Sequence, residues 1–168
     1  MFRITLTVAL LALVALFPSC KNTGADAGAD YSSDADYVRG MPLPERQEGV
    51  SFLSGNVNKS QFQPVYFDFD SYNVPASENF KLQQVVSFMG GSGNTIIIAG
   101  FTDERGTAEY NRTLGERRAQ AVREILLGMG ADGSRLQTVS FGEEMPANPG
   151  SGESAWAANR RAEFGVVP

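Results

Sequence analysis

Residues 95–100 constrain the fold more than any other segment, because three successive isoleucines follow Thr95 without an intervening charge. A short, continuous apolar run of this kind is typical of a strand that is buried on both faces. Apolar residues recur at helical spacing between positions 80 and 89. A long helix is predicted from about residue 108 to 127, with Thr107 as its N-cap. A buried strand between two helices predicts a layered α/β arrangement.

Three further strands complete the predicted fold. Residues 64–69 and 136–141 are rich in β-branched and aromatic side chains, and residues 161–167 form the last strand. A short helix is expected near residue 155. The predicted order is β-α-β-α-β-β, which corresponds to an α/β (α+β) two-layer sandwich with its helices on one face of a mixed sheet.

Composition narrows the range of functions. The chain has 168 residues, one cysteine, no histidine and a formal net charge of −5. The absence of histidine excludes Ser-His-Asp and Cys-His catalysis and removes the commonest zinc ligand. The negative charge disfavours nucleic acid as a partner, because phosphate binding needs an excess of Lys and Arg. We therefore expect no metal, no cofactor and no nucleic acid.

The first 20 residues predict export and lipidation. A short basic start precedes an apolar run over residues 4–17, which is too short to span a bilayer as a helix. Ser19 and then Cys20 follow. This pattern predicts a signal peptide over residues 1–19, and Cys20 resembles the lipidation site of bacterial lipoproteins, although Phe17 stands where Leu is usual. We expect a diacylglycerol and an N-acyl chain on Cys20. A cleaved signal with a free thiol and an uncleaved anchor are the alternatives.

Residues 20–60 are predicted to be the lipidated cysteine and a flexible tether, and residues 61–168 to be the folded domain. Small and polar residues dominate positions 21–36, and a segment with so few apolar side chains cannot offset its ordering entropy by burial. A flexible coil of about 40 residues spans about 35 Å on average and roughly 130 Å when stretched. Such a tether would let the domain reach a partner away from the membrane.

The loop of residues 102–107 and the helix after it carry the most informative polar residues. A helical stripe predicted to face the core comprises Leu114, Arg118, Ala121, Val122 and Ile125. Arg118 is therefore expected on or beside an apolar face, where an unpaired guanidinium would be costly. Asn111 lies on the same side of the helix, and Asp103 lies in the loop that leads to the helix start.

These residues predict a cleft with one carboxylate, one guanidinium, one amide and the backbone N–H groups of a helix start. Such a cleft suits a zwitterionic amino-acid end, with its carboxylate on Arg118 and its ammonium on Asp103. A buried Asp103–Arg118 ion pair that only fixes the loop explains the pattern equally well. The neighbouring charges are expected to be solvated, namely Glu104, Arg105, Glu109, Glu116 and Arg117.

Asp68 is a second candidate for ligand binding. It stands between Phe67 and Phe69 in the first predicted strand, so alternation places both rings on one face and Asp68 on the other. An ordinary strand with a solvated carboxylate is the alternative.

Five motifs together resemble the OmpA-like C-terminal domain over roughly residues 62–168. They are Phe67-Asp68-Phe69-Asp70-Ser71-Tyr72, Gly100-Phe101-Thr102-Asp103-Glu104-Arg105-Gly106-Thr107, Glu109-Tyr110-Asn111, Leu114-Gly115-Glu116-Arg117-Arg118-Ala119 and Asn159-Arg160-Arg161. The resemblance implies a non-catalytic module that binds the peptide stem of peptidoglycan through diaminopimelate. With the predicted lipid, it implies an outer-membrane lipoprotein on the periplasmic face that tethers the membrane to the cell wall, with TolB and other Tol or OmpA-like proteins as partners.

The resemblance also implies which residues bind the ligand. Asp103 and Arg118 correspond to the family's clamp on diaminopimelate. Further contacts map to Asp68, Phe69, Thr102, Asn111 and Leu114. Phe101 departs from the family pattern, because many relatives carry His or another polar residue there. A module without wall binding is one alternative. A wall hydrolase that uses Asp103 with Glu104 or Glu109 is another, and it is disfavoured because nearby arginines would keep Asp103 ionised.

Overall fold

The computed structural model describes residues 51–168 and, upstream of them, the backbone of two short strands, β1 (Tyr37–Val38) and β2 (Met41–Pro42), which pair antiparallel. The predicted signal peptide, Cys20 and most of the predicted tether lie outside the described residues. Those assignments therefore stay predictions.

The described domain has the predicted order of strands and helices, including the short last helix. Its elements are β3 (Val65–Tyr66), α1 (Asn79–Gly91), β4 (Thr95–Phe101), α2 (Ala108–Gly128), β5 (Leu136–Gly142), α3 (Glu153–Asn159) and β6 (Arg161–Val167). Short 3-10 turns over Ala76–Glu78 and Gly133–Arg135 precede α1 and β5. Strand β3 has only two residues, so the strand predicted over residues 64–69 is too long.

Strands β3 to β6 form one mixed sheet in the order β3-β6-β4-β5. Strand β6 runs antiparallel to both of its neighbours, whereas β4 and β5 run parallel. A parallel pair needs a crossover connection, and α2 provides it. Strand β4 is therefore bonded on both sides, which confirms the central position that its apolar run predicts.

Helices α1 and α2 cover one face of this sheet, as predicted. The core between them comprises Val65, Phe67, Leu82, Val85, Met89, Ile96, Ile98, Ala119, Val122, Leu126, Leu136, Ala162, Phe164 and Val166. On α2, Ala119 and Leu126 are completely buried. Ala121 and Ile125, which were predicted to face the core, are only partly buried. The core-facing stripe of α2 is therefore rotated slightly from the predicted one.

Residues 51–58 cover the opposite face of the sheet. Phe52 and Val57 are buried there against the apolar residues of β4 and β6. The backbones of Asn58 and Val166 also exchange hydrogen bonds, at 3.0 and 2.9 Å. The predicted tether is therefore wrong for residues 51–58. Of the three apolar residues in this segment, Leu53 is exposed, and the burial of Phe52 and Val57 suffices to hold the segment on an apolar sheet face.

Strand β4 and helix α2 approach each other at two glycines. A Cβ on Gly100 would lie 1.9 Å from the carbonyl oxygen of Gly115, and a Cβ on Gly115 would lie 2.3 Å from Oγ of Ser140. Any side chain at Gly100 would have to displace backbone. This close contact holds the first half of α2 over the end of β4, where the loop of residues 102–107 joins the two elements.

Candidate functional site

A cavity of about 230 Å³ opens beside the end of β4 and the first turns of α2. Its walls come from the loop after β3, the loop between β4 and α2, and one side of α2. The lining residues are Phe69, Asp70, Thr102, Asp103, Arg105, Gly106, Tyr110, Asn111, Leu114 and Arg118. Of the residues predicted to bind a ligand, all except Asp68 line this cavity.

Arg118 reaches the cavity from α2 and is completely buried. Its guanidinium donates to three backbone carbonyls: Nε to Ser71 at 2.9 Å, Nη1 to Phe101 at 2.8 Å and Nη2 to Asp68 at 3.3 Å. We call these three acceptors the carbonyl cage. They come from two separate segments, the loop after β3 and the end of β4. The cage therefore fixes Arg118 by geometry.

Arg118 has no carboxylate partner in the part of the chain that the structure describes. Within residues 51–168 it forms no ion pair, so the predicted alternative of a buried Asp103–Arg118 ion pair is wrong. Burial lowers the pKa of Arg118 from 12.5 to about 10, while the negative charge of Asp103 acts in the opposite direction. The guanidinium therefore stays charged at neutral pH. Because a guanidinium has five N–H donors, two remain after the carbonyl cage is satisfied.

Thr102, which also lines the cavity, carries a second unused polar group. Its side chain is 3 % exposed, and its Oγ1 has no hydrogen-bond partner in the part of the chain that the structure describes. Its backbone N–H, in contrast, donates to the carbonyl of Gly142 at 2.8 Å. Buried hydroxyls in proteins are almost always bonded. An unused hydroxyl and an unpaired guanidinium on one cavity indicate a site for an anionic group.

Asp103 is the second buried charge of the cavity, and its carboxylate is saturated with donors. Its Oδ1 accepts from the backbone N–H and the Nε of Arg105, at 3.1 and 3.0 Å. Its Oδ2 accepts from Nη2 of Arg105 at 2.7 Å and from Nη1 of Arg160 at 3.4 Å. Burial by itself would raise the pKa of Asp103, but the hydrogen bonds and charge of Arg105, together with Arg160, hold this pKa below 3.8.

Arg105 was predicted to be solvated, and this prediction is wrong. Its guanidinium lies between two aromatic rings, 3.9 Å from the centroid of Phe69 and 4.1 Å from that of Trp156. We call the space between these rings the aromatic slot. The Trp156 ring is held in turn by its indole N–H, which donates to Glu104 at 3.0 Å. The two rings come from segments far apart in sequence, so no local pattern predicts the slot.

The pairing around Asp103 extends to α3. Nη2 of Arg160 donates to Glu153 at 2.7 Å, and Nη1 of Arg105 lies 4.0 Å from the second oxygen of Glu153. These four residues form a closed ring of alternating charge, which we call the Asp103 network. Neither Arg160 nor Glu153 was predicted as a site residue. The signal that could have found Arg160 is its place in the Asn159-Arg160-Arg161 motif, directly before a buried strand.

The chain leaves the sheet immediately after β3, and this changes where the next residues lie. Phe67 is 4 % exposed and Phe69 is 59 % exposed, so the two rings do not share a face as strand alternation predicts. Asp70 takes the left-handed region, at φ 51°, where the loop turns. The Asp68 side chain is exposed, and it is the Asp68 carbonyl that contacts Arg118. The Asp68 side chain therefore does not line the cavity, and its role in ligand binding stays a prediction.

Tyr110 and Asp70 join the loop after β3 to α2. The Tyr110 hydroxyl donates to the Asp70 carboxylate, and both residues line the cavity. Neither was predicted as a site residue. Tyr110 stands in the first turn of α2 directly before Asn111, and this position is the signal that could have found it.

Asn111 and Leu114 hold the wall of the cavity that α2 provides. Asn111 is buried, and its Nδ2 donates to the carbonyl of Arg105 at 3.2 Å and to the carboxylate of Glu143. Its amide nitrogen therefore fixes two loops. Leu114 contributes the apolar part of the wall.

Phe101 does not place its side chain in the cavity. Its ring is buried on the opposite face of the sheet, where it stacks on Phe141 with centroids 5.4 Å apart and lies 3.9 Å from the guanidinium of Arg161. Only its carbonyl faces the site, as part of the carbonyl cage. The departure from the family pattern at this position therefore leaves the cavity lining unchanged.

Comparison with known proteins places this fold and cavity in one family. The sequence profile of the OmpA family matches residues 66–160, which include every residue that lines the cavity. The chain belongs to the OmpA family, as the sequence motifs predicted. It is 53 % identical to the peptidoglycan-associated lipoprotein of Legionella pneumophila, over 97 % of this chain and 93 % of that protein. It is 42 % identical to the protein of the same name from Haemophilus influenzae, over 89 % of each chain.

Solved structures show the same fold. The peptidoglycan-associated lipoprotein of Burkholderia pseudomallei is 44 % identical, with a TM-score of 0.61 over 62 % of this chain and 89 % of that one. The C-terminal domain of Helicobacter pylori MotB is 20 % identical, with a TM-score of 0.59 over 63 % of this chain and 84 % of that one, and shares the fold alone. Among the residues that the structure describes, none forms a helix long and apolar enough to cross a membrane.

Proposed function

We propose that the chain is a non-catalytic lipoprotein of the outer membrane whose folded domain binds peptidoglycan and so ties the membrane to the cell wall. The ligand is the peptide stem, and the group recognised is diaminopimelate, which ends in an ammonium and a carboxylate on one carbon. Family membership and the name shared by the relatives support the class of ligand. The cavity supports the zwitterion.

The observation that carries this proposal is the unpaired charge of Arg118. A buried charge without a counterion is costly, and the carbonyl cage orients the guanidinium without neutralising it. A ligand carboxylate would supply the missing negative charge through the two remaining donors. Thr102, whose buried hydroxyl is unused, lines the same cavity, and we propose that this hydroxyl donates to the same group.

Asp103 supports binding rather than catalysis. A general acid in a glycosidase needs a raised pKa, whereas Arg105 and Arg160 lower the pKa of Asp103. A permanently ionised carboxylate suits an ammonium ligand.

The proposed anchor combines two attachments. A lipid on Cys20 holds one end of the chain in the outer membrane, and the cavity binds the wall at the other end. A tether that spans the gap raises the effective concentration of the second contact once the first is made. From the resemblance to peptidoglycan-associated lipoproteins, we also propose that TolB and other proteins of a Tol–Pal system are partners in envelope integrity and cell division. Detergent partitioning of the full chain tests the anchor, because a Cys20→Ala variant that still entered the detergent phase would contradict it.

Titration calorimetry with two stem peptides tests the ligand. Residues 21–168, produced without lipid, are titrated with a peptide that contains diaminopimelate and with the same peptide carrying lysine at that position. Lysine keeps the ammonium and lacks the carboxylate, so we expect binding at least about tenfold weaker, a difference of about 1.4 kcal/mol. Equal binding of the two peptides would show that Arg118 does not read a carboxylate. No binding of either peptide would overturn the proposal.

A further inference from the structure

We infer that Arg105 is a built-in competitor for the ligand ammonium, and that Glu153 receives Arg105 when the ligand displaces it. This inference rests on the proposed function, because it concerns how the same cavity admits a zwitterion. Arg105 and Glu153 then set the affinity for the ligand although neither bonds to it.

The first observation is that the carboxylate of Asp103 has no vacant acceptor position. It accepts four N–H bonds, three from Arg105 and one from Arg160, and a carboxylate offers about four lone-pair sites. An ammonium that binds Asp103 must therefore replace a donor. Because its guanidinium carries the same charge as an ammonium, Arg105 stands in for the ligand while the cavity is empty.

The second observation identifies which donor can leave. The side chain of Arg160 is 8 % exposed and is also bonded to the carbonyl of Phe67 at 3.0 Å and to Glu153. The Arg105 backbone N–H is fixed by the turn. The Arg105 side chain, in contrast, is 29 % exposed and lines the cavity. Its two side-chain bonds are therefore the ones that a ligand can replace.

The third observation is a nearby alternative partner for Arg105. Its Nη1 lies 4.0 Å from Oε2 of Glu153, whose side chain is 65 % exposed and whose other oxygen, Oε1, accepts from Arg160. A cation–π contact persists while the cation stays within about 6 Å of the ring centroid, and the Arg105 guanidinium lies well inside that limit for both rings. The guanidinium can therefore slide between Phe69 and Trp156 from Asp103 towards Glu153 without leaving the slot.

Helix α3 supplies both parts of this device. Glu153 and Trp156 are three residues apart on α3, so they lie on the same side of the helix. Trp156 provides a wall of the aromatic slot, and Glu153 provides the second acceptor for Arg105. The same helix thus sets where Arg105 lies when the cavity is empty and where it moves when the ligand binds.

Two substitutions test the inference, with matched controls elsewhere on the surface. Arg105→Met removes the competing charge and keeps an unbranched side chain in the aromatic slot. Glu153→Gln removes the receiving charge. The controls are Arg112→Met and Glu144→Gln, an exposed ion pair at 3.7 Å with 71 % and 64 % of the side chains exposed, outside the cavity. They carry the same changes in net charge. All variants are made in residues 21–168, and thermal unfolding confirms that each is folded.

The probes are the diaminopimelate stem peptide and the same peptide acetylated on the diaminopimelate ammonium. We expect Arg105→Met to tighten binding of the free peptide about tenfold and Glu153→Gln to weaken it about threefold, relative to the matched controls. Neither substitution should change binding of the acetylated peptide by more than about twofold. In the double variant, the effect of Glu153→Gln should shrink to less than about twofold, because no Arg105 charge remains to be received.

Three outcomes would overturn the inference. Weaker binding of the free peptide by Arg105→Met, while the wild type binds, would show that Arg105 is a ligand contact, and the proposed function would stand. Unchanged affinity in Glu153→Gln, once thermal unfolding has shown that the variant is folded, would remove the receiving role. No binding by the wild type would overturn both the inference and the proposed function.

Discussion

Arg118 and Asp103 are two buried charges on one cavity, and the chain surrounds them in opposite ways. Among residues 51–168, Arg118 donates only to the carbonyl cage, whereas Asp103 accepts its bonds from the Arg105 backbone N–H and from the guanidiniums of Arg105 and Arg160. Carbonyl dipoles orient a charge without cancelling it, and guanidiniums cancel the charge of a carboxylate. The cavity can therefore bind an additional anion at Arg118, whereas a cation can bind at Asp103 only by replacing one already there.

Removal of the Arg118 guanidinium should have the largest effect on the stability of the domain. Arg118→Met is expected to lower the free energy of unfolding by about 3–5 kcal/mol, because three carbonyls lose their donor in a buried place. Urea denaturation measures the change. The neighbouring Arg117→Met, on the exposed side of α2, should change it by less than about 0.5 kcal/mol. A loss below about 1 kcal/mol for Arg118→Met would mean that the carbonyl cage is solvated and does not depend on Arg118.

Gly100→Ala tests the close backbone contact between β4 and α2, the helix that carries Arg118. The new Cβ would meet the Gly115 carbonyl oxygen at 1.9 Å, so α2 must move away from β4. We expect a loss of about 2–3 kcal/mol in urea denaturation. Gly93→Ala is the control, because a Cβ there meets nothing within 4 Å. Equal stability of the two variants would contradict the role assigned to this contact.

Asp103→Asn tests how the Asp103 carboxylate contributes to stability as the pH changes. The folded state holds the pKa of Asp103 below its ordinary value of 3.8. Its stabilising contribution is therefore fully present above the unfolded pKa and is lost as the pH falls through the lower folded pKa. At pH 7 we expect the variant to be less stable by about 1–2 kcal/mol. The difference from wild type should shrink as the pH is lowered below about 4.

Denaturation series at several pH values measure this difference. Asp68→Asn is the matched control, since that carboxylate is exposed and only the Asp68 carbonyl takes part in the site. Its effect on stability should stay within about 0.5 kcal/mol at every pH. A gap between wild type and Asp103→Asn that widened on acidification would contradict the direction of the pKa shift.

The same contrast separates what the sequence predicts from what it does not. Local spacing predicts the order of strands and helices, the central position of β4 and the N-cap at Thr107, whose Oγ1 accepts from Tyr110. Helical spacing also predicts that Arg118 lies on or beside an apolar face, and the residue is completely buried. Its acceptors in the loop after β3 lie 47 and 50 residues away, and that loop follows a strand that ends earlier than alternation suggests. Local patterns carry no information on such partners.

The partners of Asp103 are even harder to predict from the sequence than the acceptors of Arg118. Resemblance to the family points to Asp103 as a ligand residue, but it does not show that Arg105 occupies the carboxylate. The aromatic slot needs one ring from the loop after β3 and one from α3, and Arg160 lies 57 residues from Asp103. Ion pairs and stacking across such separations depend on the completed fold. The sequence therefore predicts the charges of the site better than it predicts their partners.

Thr102→Val should have the smallest effect on stability. It still tests whether Arg118 binds the ligand carboxylate alone or together with the Thr102 hydroxyl. The Thr102 hydroxyl has no partner among residues 51–168, so its removal should change the free energy of unfolding by less than about 0.5 kcal/mol. If the hydroxyl donates to the same carboxylate as Arg118, the variant should bind the diaminopimelate peptide about tenfold more weakly, as one lost bond to a charged group predicts. Thr102→Ser keeps the hydroxyl and should bind nearly as the wild type does. Undiminished binding by Thr102→Val would show that the ligand anion reaches Arg118 alone, and the asymmetry of the cavity would then rest on one side chain.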